Sequence, residues 1–366
     1  MFKTAIVSAS SLLLLIGCGT EVKVTVTNGT GIPRVNETVT ARVSTGWKNR
    51  DFIVEGSGGS RIPYQVIDSN DGGCDIIFQA SVGSQASATY TIRKGAPEKF
   101  DTLAYSRYVP ERKDDYAYEN NLIAGRIYGP ALSDPRTFGP DVWLKCTERL
   151  IVNEWFAKGD YHHNYGDGMD CYKVANTLGG GACAPYCDTT IILGDNWASQ
   201  EHICDGPVRT AASFTYPEFE VDGAKVTAER TLSLDANTRL VHWTTVFNSE
   251  RDSIDLVLGA VLHDVLAVSS KGNSIAFTEK ASDSKNPERD GNISIGLILD
   301  PAYKAAYKVM DGHAVLTFRV KSGETVNYWT ASGWSQGGVE SPEAWEEYIS
   351  TQAAALASPL KVTVEK

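Results

Sequence analysis

Residues 214–248, FTYPEFEVDGAKVTAERTLSLDANTRLVHWTTVFN, decide the fold. Runs rich in β-branched and aromatic residues are parted by Val221-Asp222-Gly223 and by Asp235-Ala236-Asn237, the composition of tight hairpin turns. Strands joined this closely run antiparallel. The pattern returns in DLVLGAVLHD, AVLTFRVKSG and VNYWTASGW, which extends the reading to one large antiparallel sheet system. Upstream, EVKVTVTN, ETVTARVS, CDIIFQAS and ATYTIRKG are four further strands bounded by Gly, Asn or Ser, enough for a small N-terminal β-sandwich. One helix is predicted, with Ser341 as N-cap, Pro342 at the first helical position, and Trp345, Ile349, Ala353 and Leu356 on one face. Pro359 ends it, and LKVTVEK closes the chain as a strand.

The expected organisation is therefore mainly β: a signal segment over 1–17, an N-terminal sandwich over 18–98, and a large β domain with a C-terminal helix over 99–366. KGAPEKFDTLA, residues 94–104, is the linker between the two domains.

The first residues point to export. Lys3 precedes an apolar run that ends in Leu15-Ile16-Gly17 before Cys18, the pattern of a bacterial lipoprotein signal. The run is too short to span a hydrocarbon core of about 30 Å, so cleavage before Cys18 and acylation of that cysteine are expected. Gly19 is not an inner-membrane retention residue, which places the mature protein on the outer membrane, at its periplasmic or cell-surface side. Six cysteines remain, Cys74, Cys146, Cys171, Cys183, Cys187 and Cys204, an even set from which two or more disulfides are expected in an oxidising compartment. The alternative use of Cys183 and Cys187, with His202 or Cys204 on zinc, lacks a paired C-x-x-C knuckle. With 34 Lys and Arg against 45 Asp and Glu, the net charge of −11 excludes the basic footprint that nucleic acid requires.

Three blocks break the alternation with dense charge, aromatics and glycine: YVPERKDDYAYENNLIAGRIYGPAL from 108, YHHNYGDGMDCYKV from 161 and GPVRTAASFTYPEFEVDG from 206. Polar groups at that density converge on a ligand. His162 and His163, with an ordinary pKa of about 6.5, suit proton transfer beside Tyr161 and Tyr172. Arg126, Arg209 and Arg112 stand near Gly-Pro turns or charged neighbours and can grip a carboxylate, or else pair with Glu119, Asp115 or Asp205. Trp197 in GDNWASQ and Trp334 in ASGWSQGG sit among loop-like polar residues, as tryptophans on the rim of a sugar cleft do. Asn164, Asp167 and Asp170 alternate with Gly166 and Gly168 as in an oxygen-rich calcium loop, although the sequence demands no cofactor.

Taken together, PERKDDYAYEN, GRIYGPAL, DVWLK, YHHNYGDGMDCYKV, LGGG and GPVRTAASFTY resemble the domain of unknown function 4861 family from about Glu21 to the C-terminus. The resemblance implies a galactose-mutarotase-like β-supersandwich and a setting among systems that degrade polysaccharides rich in uronic acids. The chain departs from the family pattern at Tyr118, Gly125 and Asn164, where Trp, Phe and Asp are usual.

The expected function is a carbohydrate-active enzyme on acidic oligo- or polysaccharides, foremost a β-elimination lyase. His162 would be its base, Tyr172 or Tyr161 its acid, and Arg126 or Arg209 its grip on the carboxylate. Two alternatives stay open. One is epimerase- or hydrolase-type chemistry, with Asp170 or Glu119 opposite His162, and the other is a sugar-binding lipoprotein without catalysis.

Overall fold

The computed structural model describes residues 21–44, 46, 51–68, 74–132 and 136–365. Cys18 and the segment before it lie outside the described residues. Among the described residues no helix is long and apolar enough to cross a membrane.

The chain divides into two compact units. The first comprises Met1–Leu103, Gly206–Arg209 and Ala354–Lys366. It holds a four-stranded sheet ordered Lys361–Glu365, Glu21–Thr27, Ser87–Lys94, Phe52–Glu55, and a three-stranded sheet ordered Arg34–Val43, Cys74–Val82, Tyr64–Asp68. Alternate residues of the strands meet in one core that includes Val22, Val24, Val26, Val39, Ile76, Phe78 and Ile92. The closing strand, assigned from sequence to the large domain, instead pairs antiparallel with Glu21–Thr27, Val364 lying opposite Val24.

The second unit comprises Ala104–Asp205 and Thr210–Ala353. Its eight-stranded antiparallel sheet contains all three runs of the deciding stretch as neighbours: Arg209–Val221, Ala224–Asp235 and Leu240–Ser249. Two five-stranded antiparallel sheets complete the unit. One is ordered Thr190–Ile191, Ala182–Cys187, Ser253–Val261, His313–Lys321, Ala306–Met310. The other is ordered Gly168–Asp170, Asp141–Lys145, Ala124–Ile127, Asp115–Asn120, Ala104–Val109. The main core draws on all three sheets, through side chains such as Leu232 and Trp243, Leu256 and Leu316, and Tyr116 and Leu144. The C-terminal helix, Pro342–Leu356, forms where expected; Ser341 Oγ accepts the Ala344 N–H at 3.2 Å, and Trp345 and Ile349 are buried.

The sheet that ends at Gly168–Asp170 positions the polar blocks. Tyr116, Tyr118, Ile127, Val142, Leu144 and Met169 face the main core, while the alternate residues Ala117, Ala124 and Trp143 face a second core. The segment carrying Ile151, Val152, Trp155 and Tyr161 covers that second face. Two of the departures from the family pattern are cross-strand partners here, Tyr118 opposite Gly125. A β-carbon at Gly125 would lie 2.7 Å from the Tyr118 hydroxyl oxygen, so the glycine makes room for the tyrosine.

The expected disulfides are not seen among the described residues. Strand register keeps two pairs of the thiols apart. Lys145 pairs with Gly168 and Trp143 with Asp170, so Cys146 and Cys171 fall toward opposite ends of one ladder. Cys183 is buried opposite Leu258, whereas Cys187 reaches the other end of its strand opposite Thr190. Burial pushes the Cys183 thiol up to about 12, which keeps it protonated.

Candidate active site

Period-two alternation gathers the charged blocks onto the covered face of the five-stranded sheet. Asp141 lies directly across from Arg126, Ala117 lies across from it on the other side, and Trp143 pairs with Asp170. Arg126 is buried at the centre. Its Nε donates to Asp141 Oδ2 at 2.8 Å, Nη1 to the Tyr161 hydroxyl at 2.9 Å and Nη2 to Asp170 Oδ2 at 3.0 Å. Asp115 Oδ2 stands 3.5 Å from Nη1. The rings of Tyr128, Trp143 and Tyr161 wall the guanidinium at 4.9, 5.5 and 5.4 Å.

Three carboxylates thus surround one guanidinium, and the excess negative charge has an electrostatic consequence. Burial first, with Asp141 nearby, raises the Asp115 carboxyl to about 6 against the pull of Arg126 and Arg112. Asp170 is driven well above the usual carboxylate range, by burial and then by Asp141, with Arg126 opposing.

His162 is where this network meets solvent. The backbone bond from Asp170 N–H to Tyr161 O, 2.8 Å, folds the 161–170 loop back on itself. His162 Nδ1 then lies 3.1 Å from Asp170 O and 3.5 Å from Asp170 Oδ2, with the side chain half exposed. The neighbouring Tyr161 hydroxyl also accepts from Arg112 Nε at 3.1 Å, and Arg112 Nη1 is buried with no hydrogen-bond partner. Beyond His162 the surface continues through Asn164, whose Nδ2 lies 3.5 Å from Gln336 Oε1, to Arg289, whose carbonyl accepts from Gln336 Nε2 at 2.8 Å.

The structure thus brings together Arg112, Arg126, Tyr161, His162 and Asp170 from the residues singled out in the sequence. The others have different tasks. Glu119 shares the sheet face, yet its carboxylate accepts the N–H groups of Ile151 and Val152 at 2.6 and 2.8 Å and the Lys145 ammonium at 3.2 Å. It caps the helix Val152–Lys158, whose own N-cap residue supplies no side-chain acceptor. Tyr172 points inward and donates to the carbonyls of Gly179 and Val261 at 3.1 and 3.3 Å. Burial raises its phenol well above its ordinary value. Trp197 and Trp334 are buried rather than on a rim: Trp197 packs against Tyr108 and Phe214, and Trp334 donates Nε1 to Asp290 O at 2.7 Å. Arg209 belongs to the first unit, where its backbone N–H and carbonyl bond the Gln65 amide at 3.0 and 3.1 Å.

The donors of the calcium-like loop diverge. Asn164 Oδ1 accepts the Gly166 N–H at 2.8 Å, Asp167 accepts Trp155 Nε1 at 3.3 Å, and Asp170 serves Arg126. Among the described residues no group of three or more His, Cys, Asp or Glu is placed to hold a metal ion. Two members of the network, Asp141 and Asp115, were not singled out as site residues. The available signal was the spacing of Asp141, Trp143 and Lys145 in GPDVWLK, which puts all three on one strand face.

Residues 26–362 match the family model described as domain of unknown function (DUF4861). "Uncharacterized protein P7" of Formosa agariphila is 28% identical over 374 residues, covering 93% of each chain. Two solved structures share the fold. A protein in the glycosyl hydrolase family 38 from Enterococcus faecalis has a TM-score of 0.54 at 9% identity, over 95% of this chain and 48% of its own. An alpha-mannosidase from Enterococcus faecalis V583 has a TM-score of 0.53 at 9% identity, over 96% and 46%. The chain spans about half the length of those two structures.

Proposed function

The chain belongs to the DUF4861 family, and we propose that it is a carbohydrate-active enzyme whose proton-transfer group is His162, backed by Asp170 and Arg126. The observation that carries this reading is the half-exposed imidazole whose Nδ1 is turned to Asp170, itself held by the buried guanidinium at 3.0 Å. Such an arrangement leaves Nε2 as the atom that exchanges a proton with substrate. The sugar-directed names of the two structures that share the fold point the same way.

The reaction that fits best is β-elimination from a uronic-acid sugar. Asp170 is buried behind His162, so the network presents one proton-transfer group to solvent rather than two. A syn elimination needs only one. Nε2 takes the proton from C5, the electron pair forms the C4–C5 double bond, and the glycosidic oxygen leaves C4 with the proton that Nε2 returns. Arg112, beside Tyr161, is the residue we assign to the uronate carboxylate, whose neutralisation makes the C5 proton acidic enough to leave. Epimerase or hydrolase chemistry would require a second group on the substrate, a part for which Asp170 and Glu119, buried and engaged with Arg126 and with the N–H groups of Ile151 and Val152, are not free.

The LIGC motif at residues 15–18 supports the further reading that the enzyme works at the outer membrane through acyl chains on Cys18.

The test is a panel of acidic oligosaccharides followed by the ultraviolet absorbance of the conjugated unsaturated uronate. His162→Ala should abolish the signal while circular dichroism stays unchanged. Cleavage without new absorbance would overturn elimination, and full turnover by the variant would overturn the site.

A further inference from the structure

In the strand Ala224–Asp235 the side chains of Val226, Ala228, Leu232 and Leu234 face the main core, and alternation puts Arg230 among them. It is 6% exposed. Nη2 donates to Cys183 O at 2.9 Å, and the guanidinium lies 4.6 Å from the Tyr216 ring centre and 5.5 Å from that of Phe138. Nε is buried with no hydrogen-bond partner. Among the described residues no Asp or Glu pairs with Arg230; the Tyr216 side chain hydrogen-bonds it, and Tyr216, Tyr328 and Cys183, the titratable groups facing it, are each pushed toward the neutral form by burial. Arg126, in the same unit, is surrounded by carboxylates, so this cation is the anomaly. An arginine cannot discharge itself by losing a proton, and a buried charge without a counter-ion is costly.

A cavity of about 10 Å³ adjoins it, lined by Phe138, Ala184, Pro185, Tyr216, Phe247 and Arg230. That is room for one particle the size of a water molecule. Ring edges carry partial positive charge and favour an anion there. Asp195 also borders the cavity, but its carboxylate is exposed and bonded to Arg136 at 3.1 Å. We propose that this cavity is a halide site, in which one chloride ion sits against the Arg230 guanidinium and supplies the missing negative charge. The site is separate from the network around His162, so its failure would leave that reading untouched, and the reverse.

Two measurements on the full chain decide it. Crystals soaked in bromide should show an anomalous peak beside Arg230. The melting temperature should rise by a few degrees for each tenfold increase in chloride or bromide, gluconate keeping the ionic strength constant, because an ion that binds only the folded state stabilises it by mass action. Arg230→Met should lose that dependence, with Arg230→Lys replacing it if the methionine variant fails to fold. A missing peak, a peak without a melting shift, or an equal response to gluconate would each overturn the proposal.

Discussion

Replacing Glu119 by Ala strips three partners at once. The carboxylate is 1% exposed and the Lys145 ammonium that it meets is fully buried. Burial, the largest influence on each, raises the Glu119 carboxyl and lowers the Lys145 ammonium, so either partner resists being charged alone. Breaking a buried pair by deleting one member costs about 3–5 kcal/mol, and losing a helix cap adds about 1 kcal/mol. The Asn120 carbonyl, 2.6 Å from Lys145 Nζ, remains as a partner and keeps the expected loss toward the lower end, about 4 kcal/mol. Trp143 and Trp155 stack 5.3 Å apart in the core beneath the helix, which makes tryptophan fluorescence in a urea titration the natural assay. The double variant Glu119→Ala with Lys145→Met should recover most of the loss, because it removes the orphaned cation and leaves only the uncapped helix. A single variant that costs under about 1 kcal/mol, or a double variant less stable than the single, would refute the account.

Two further outcomes follow from the same geometry. Asp115 keeps its proton up to about pH 6 in the folded state and gives it up near pH 4 when unfolded, so its contribution to stability is complete below about pH 4 and is lost as pH rises through 6. Asp115→Asn should therefore flatten the stability profile between pH 4 and 6, read by thermal melts across that range; an unchanged slope would count against the shift. Tyr172→Phe should cost about 1 kcal/mol of stability and leave kcat unaltered, since the hydroxyl serves two backbone carbonyls; a tenfold loss of kcat would return the phenol to the chemistry.

Legibility varied with how local the physics was. The hairpins of residues 214–248 were readable because their turn residues and β-branched runs lie next to one another, and the C-terminal helix because Ser341 and Pro342 mark its start within two residues. The role of Glu119 was not readable, since the N–H groups that it caps are supplied by Ile151 and Val152, far along the chain. Trp197 and Trp334 misled because polar neighbours in sequence do not report where a side chain points. In the strand Asp115–Asn120 every residue is buried, so hydrophobic alternation disappears even though geometric alternation persists. That hid the convergence of Asp115, Asp141 and Asp170 on Arg126.

The pairing of Lys361–Glu365 with Glu21–Thr27 sets an order on the birth of the protein. The ribosome makes the partner of the first strand only after the chain of the second unit, so through most of synthesis Glu21–Thr27 has one unpaired edge with Val22, Val24 and Val26 in alternation. A fragment that stops at Leu103 would keep that edge for good and should self-associate.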